Sequence, residues 1–292
     1  MKTAFHQCLQ NFLRSQKVLG QTSFPLQESV LRTFLQNEQL VLAEKRREVA
    51  IAHPLEFQAK QVSLASGTVT SSPIEEPKKV AFTLPDGDKE TRWKWLKQQV
   101  LSCPQCLQHV APGKKLVFGS GNLQADLFFC GEAPGAEEEE QGEVFVGRAG
   151  QLLTKMIKAM GLRRSDVYIG NIMNWRPETP NHIGNRPPTQ EEMQFCLPYL
   201  IGQVEIVQPK VIVALGATAV HGLLGYDPQR RMRDCRGHWF TFHQIPLLVT
   251  YHPSYLLRNA TIAAKRMVWE DLLRVMQFLK LPISERQQSY FL

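Results

Sequence analysis

The chain reads as an α/β protein, a three-layer α/β/α domain around a central, four-stranded, mostly parallel sheet. Two observations predict it. Short apolar runs rich in Val, Ile, Leu and Phe recur at 126–130, 167–171, 211–215 and 246–250, the signature of strands buried on both faces. Between and after them, apolar residues fall at helical spacing over 150–160, 189–206, 217–224 and 262–279. Strands separated by helices join in parallel through right-handed crossovers.

Upstream of that domain, residues 26–50 predict a helix. Leu26, Val30, Leu31, Phe34, Leu35 and Leu40 share a face, and Glu44 to Glu48 solvate its end. From 63 to 90 the composition turns to Ser, Thr, Gly and Glu with Pro73, Pro77 and Pro85, which is that of a linker. Residues 1–87 are therefore expected to form an extension, helical and then flexible or disordered, attached to a domain over 88–292.

Within the domain the strand over 126–130 runs into Cys130-Gly-Glu-Ala-Pro-Gly135. The helix over 150–160 places Leu152, Leu153, Met156, Ile157 and Met160 at core spacing, and the strand over 167–171 ends on Asn171. Thr189-Gln-Glu-Glu192 has the spacing of a capping box at the next helix start. Gly216 follows the third strand and His252 the fourth, and Trp269, Leu272, Leu273, Met276 and Leu279 mark the last helix. Glu132, Asn171, Gly216 and His252 thus stand at four strand ends. On one edge of a parallel sheet they would converge on a single crevice.

Bulk properties narrow the function. At 292 residues the chain can bury a core in one domain plus an appendage, or in two small domains. No apolar run approaches the ~18 residues of a membrane span, and His6, Gln7, Gln10 and Arg14 occupy positions where a secretory signal needs an apolar core. A cytoplasmic monomer with no membrane partner is expected. Residues 1–90 hold 11 basic and 10 acidic side chains, so +6 of the +7 net charge lies in 91–292. That surplus suits a polyanion. Six cysteines in so long a chain make no disulfide framework, and Cys103-Pro-Gln-Cys106 points to metal or redox chemistry.

Gly131 to Gly150, with Gly-Glu-Ala-Pro-Gly at its start and Phe145-Val-Gly-Arg-Ala-Gly150 at its end, resembles motif A of uracil-DNA glycosylases of family 4, the iron–sulfur branch. Thr250-Tyr-His-Pro-Ser-Tyr-Leu-Leu-Arg258 resembles motif B. The resemblance covers about 88–292 and implies an enzyme that flips uracil out of single- or double-stranded DNA and hydrolyses its N-glycosidic bond. It implies that Glu132, Ala133 and Pro134 contact uracil, that Glu138 lies near the reacting centre, and that Phe145 stacks on the base. The plainer readings are a strand-to-helix turn, a core Phe145, and a solvated acidic face for Glu137, Glu139 and Glu140. Asn171 carries donors and an acceptor complementary to the uracil N3–H and O4 edge, though a strand-end Asn also serves in turns. By resemblance His252 donates to uracil O2 and stabilises the leaving anion. Leu256, with Leu257 second, enters the base stack unless both leucines are core. Ser254 and Arg258 contact phosphates. Glu138, Glu132 or electrostatics alone remain open as what activates water.

The resemblance also implies a [4Fe–4S] cluster on four cysteines. Cys103, Cys106 and Cys196 match three, while Trp175 stands where the fourth belongs, and an indole offers iron no lone pair. Three outcomes follow: a cluster with another ligand, no cluster with Trp175 filling the space, or recruitment of Cys235. Cys130 reads as a buried apolar residue. Two alternative functions stand beside uracil excision: a glycosylase for another damaged base, and a non-catalytic DNA-binding relative.

Overall fold

The Asp88 carboxylate accepts from the Thr91 amide at 2.7 Å and so caps the first helix, α1 (Lys89–Leu101). The structure, a computed structural model, describes residues 82–177 and 184–292. The helix expected at 26–50 and most of the expected linker lie outside the described residues. Phe82 and Leu84, just before α1, pack against the core.

Six strands form the sheet: β1 (Ser120–Gly121), β2 (Leu127–Gly131), β3 (Tyr168–Asn171), β4 (Val211–Leu215), β5 (Trp239–Phe242) and β6 (Ile245–Thr250), in the order β1-β3-β2-β4-β6-β5. The inner four are parallel and correspond to the four expected from sequence. The expected count of four is corrected by an antiparallel strand at each edge. β1 is only two residues long, too short for a hydrophobic period. β5 is tied to β6 by His243 and Gln244, both in the left-handed region with φ of 46° and 67°. Such turns normally advertise themselves with Asn-Gly or Asp-Gly, so this hairpin carries no composition signal.

Alternation along the inner strands divides two cores. Phe128, Cys130, Ile212 and Ala214 face α1, α5 (Gln190–Val207) and α6 (Gly216–Leu224). Leu127, Phe129, Val211, Val213 and Leu215 face α4 (Arg148–Ala159) and α9 (Ile262–Phe278). The remaining short helices are α2 (Pro104–Gln108), α3 (Ala136–Gln141), α7 (Met232–Cys235), α8 (Pro253–Arg258) and α10 (Glu285–Gln288). The three-layer expectation holds. Thr189 opens α5 with the expected capping box, its hydroxyl accepting from the Glu192 amide at 3.2 Å.

Two polar networks are buried with their partners. Trp93 donates to the Tyr168 hydroxyl at 2.8 Å, which donates to Gln203 Oε1 at 3.1 Å. Asp271, fully buried on α9, accepts from Thr250 Oγ1 at 2.7 Å and from the Arg236 guanidinium at 2.7 Å. Burial pushes the Asp271 carboxyl up while Thr250 and Arg236 pull it down. The pair holds the end of β6, two residues before His252. Among the described residues no helix is long and apolar enough to cross a membrane.

The path β2→β3→β4 places β3 on one side of β2 and β4 on the other. Here strand order reverses, and a crevice opens beyond the carboxyl ends of the strands.

Candidate active site

A cleft of about 420 Å³ occupies that crevice, with Glu132, Ala133, Pro134, Phe145, Asn171 and His252 in its wall. Residues from the ends of β2, β3 and β6 meet there. Gly131 and Gly216 make the approach possible. A Cβ on Gly131 would stand 2.5 Å from both Asn171 Oδ1 and the Phe145 ring, and one on Gly216 would stand 2.8 Å from His252 Cβ.

Asn171 ends β3 and is 5% exposed, yet its Oδ1 has no hydrogen-bond partner among the described residues. Buried acceptors are rarely left so. Phe145 is also mostly buried and belongs to the core beneath the cleft. Its backbone lies in the left-handed region at φ 50°, and its ring centroid is 5.7 Å from that of His252. Holding a large residue there costs of order 1–3 kcal/mol, and the residue lines the cleft.

His252 caps α8. Its Nδ1 accepts from the Ser254 amide at 3.2 Å and lies 2.8 Å from the Ser254 hydroxyl. An amide can only donate, so Nδ1 is bare and the ring proton sits on Nε2. Burial first, and the Arg258 charge second, push the His252 pKa down to about 4. The ring is neutral at pH 7 and carries one donor. The hydroxyl of Ser254, expected to contact a phosphate, also lies within hydrogen-bond reach of Nδ1. Arg258, exposed at the end of α8, lines the cleft mouth.

The two carboxyl groups part ways. Glu138 Oε1 accepts from the amides of Val146 and Gly147 at 3.0 and 2.9 Å, and Oε2 accepts from the Gly135 amide at 3.1 Å. With three of about four lone-pair sites used, Glu138 braces the loop. Glu132 accepts a single side-chain bond, from Thr218 Oγ1 at 2.8 Å. Burial pushes its carboxyl up, against the Thr218 bond and Arg258. Thr218 was not foreseen from sequence, because its partner lies 86 residues away; the Gly216 turn was the only local sign. Glu139, expected on a solvated face, instead accepts from Arg176 at 2.9 Å, and Arg176 also donates to Asn185 Oδ1 at 2.8 Å. Glu139 and Arg176 are only 13% and 17% exposed.

The two wedge candidates differ in exposure. Leu256 is 6% exposed and packed in the core, whereas Leu257 is 40% exposed. Neighbouring residues on a helix point about 100° apart, and α8 begins right after His252, so the second leucine faces outward.

The sequence profile of the uracil DNA glycosylase superfamily matches residues 118–273. A type-4 uracil-DNA glycosylase of Thermotoga maritima is 40% identical over 195 residues, covering 66% of this chain and 97% of the relative. One from Archaeoglobus fulgidus is 48% identical over 166 residues, covering 55% and 80%, and one from Pyrobaculum aerophilum is 39% identical over 173 residues, covering 57% and 85%. This chain belongs to the type-4 uracil-DNA glycosylases.

For a type-4 glycosylase the cysteine region has an unusual donor set. Cys106 in α2 and Cys196 in α5 are buried, and Cys103 caps α2 half-buried. Trp175 is 2% exposed and stacks on His109 with ring centroids 4.5 Å apart and planes 9° apart. Its Nε1 has no partner among the described residues, and that atom is a donor only. Cys130 lies within β2, and Cys235 Sγ donates to the Arg231 carbonyl at 3.0 Å. Among the described residues no three His, Cys, Asp or Glu side chains form a metal-holding group. Three thiols, with Trp175 at the sequence position where the fourth is expected, do not supply the donor set of a four-thiolate cluster.

Proposed function

We propose that this protein excises uracil from DNA and leaves an abasic site, the opening step of base excision repair. The observation that carries the reading is the buried, unpartnered Oδ1 of Asn171 in the same cleft as the Nε2–H of a neutral His252. An acceptor set apart from a donor complements the N3–H and a carbonyl oxygen of uracil. Cytosine has no hydrogen on N3, so it would leave the acceptor orphaned.

The nucleotide leaves the stack as the exposed Leu257 takes its place, and the base slides against Phe145. The C1′–N1 bond breaks with its electron pair going to uracil. His252 donates from Nε2 to O2 where that charge collects, without needing to give up the proton. Water then bonds C1′ and passes its proton to the Glu132 carboxylate. Glu132 is the better placed of the two carboxyl candidates to orient it, since Glu138 is occupied by backbone amides. Arg258 faces the phosphates at the cleft mouth.

Uracil-containing single- and double-stranded oligonucleotides, treated with the protein and then heated in alkali, test this. Nicking at uracil that is lost in His252→Ala and Asn171→Ala is expected. Nicking only at a different lesion, or tight binding with no nick, would overturn it.

A further inference from the structure

Trp175 is one ring in a longer series. It stacks on His109 and tilts against Phe195 at 5.9 Å; Phe195 meets Tyr199 edge-on at 6.3 Å; and Tyr199 stacks on Phe82 at 5.6 Å. Phe82 meets Trp95 edge-on at 5.9 Å. The rings come from the segment before α1, from α1, from the end of α2, from the loop after β3 and from α5. Two of those elements, α2 with its N-cap and α5, also carry Cys103, Cys106 and Cys196. Centroid spacings of 4.5–7 Å in offset and edge-on arrangements are those of attractive aromatic pairs.

We propose that this domain has exchanged the iron–sulfur cluster for an aromatic plug. Trp175 and His109 join the cysteine-bearing segments by packing, and the three cysteines remain free thiols. The chemistry of the donor set supports it: among the described residues no fourth cysteine takes the expected place, and Trp175 there brings bulk and an N–H instead of a lone pair. Neither remaining buried cysteine can move in cheaply, since one is inside the sheet and the other is bonded within its own helical turn. The proposal rests on family membership and not on uracil excision.

The test uses the full chain, produced with ample iron and sulfide and purified anaerobically. Substoichiometric iron, no broad band near 400 nm, and a melting temperature unmoved by chelator are expected. About four irons per chain that survive gel filtration, with a melting temperature lowered by chelation, would overturn the proposal. Trp175→Phe should keep most of the melting temperature and Trp175→Ala should lose several degrees; an Ala variant as stable as the parent would also overturn it. Trp175→Cys, reconstituted with iron and sulfide, should gain the band and about four irons. A folded Trp175→Cys chain that takes up none would show that this side chain is not what keeps the cluster out. Uracil nicking is scored separately on each sample. An inactive, iron-free chain refutes only the excision reading, and an active chain with bound iron refutes only this one.

Discussion

His252, the proposed donor to uracil O2, is prepared for that role by its surroundings. Its tautomer comes from the Ser254 amide and its neutrality from burial. His252→Ala should lower single-turnover excision by about 10²–10³-fold, the usual loss on removing one oxyanion donor. The same burial has a stability signature. The folded pKa lies near 4, below the ordinary 6.5, so the unfolded chain binds more protons between those values. This group's contribution is full above about pH 6.5 and lost as pH falls toward 4. Urea midpoints measured across that window should fall more steeply on acidification for the parent than for His252→Gln. Glu132 acts with the opposite sign, since a raised carboxyl stabilises at low pH and loses that effect as pH rises through its folded value; it is common to both proteins and cancels in the comparison. Thr218→Val removes the one side-chain donor to Glu132. It should push that carboxyl further up, move the acid limb of the kcat profile to higher pH, and lower stability at pH 8 by about 1–3 kcal/mol. If the acid limb stays put, Glu132 takes no part in the rate.

At the level of elements, α8 separates two leucines that the sequence leaves side by side. Leu256→Ala should cost about 2–5 kcal/mol in urea unfolding. Leu257→Ala should stay within about 0.5 kcal/mol while slowing excision in duplex DNA more than in single strands. A reversed pattern would return the wedge to Leu256. The helix's phase decides between them, and phase is invisible until the helix start is known. Inner strands were legible because burial on both faces writes a continuous apolar run. β5 was not, because an edge strand alternates weakly and its turn uses His243 and Gln244. Residues at strand ends were legible through their motifs. Thr218 and Arg176 were not, since each acts on a carboxylate far away in the chain. Sequence spacing reports local geometry, and the role of Glu138 as a brace depends on where amides point after folding.

For the whole molecule, the proposed approach to DNA depends on charge. Arg148, Arg186 and Arg258 line the cleft, and the net charge is +7. Binding of uracil-free duplex should weaken steeply with salt, and Arg258→Ala should flatten the slope of log K against log[salt] by about 1. An unchanged slope would remove Arg258 from the phosphate contacts. The crossing of strand order at β2 has one more consequence. Glu132, Asn171, Thr218 and His252 are brought together only when β2, β3, β4 and β6 are all in register. A fragment lacking any one of these strands would lack the complete cavity. Free nucleobase should therefore recognise the finished fold alone and raise Tm in proportion to its occupancy, so that a simple melting curve becomes a ruler for how well the pocket fits each pyrimidine.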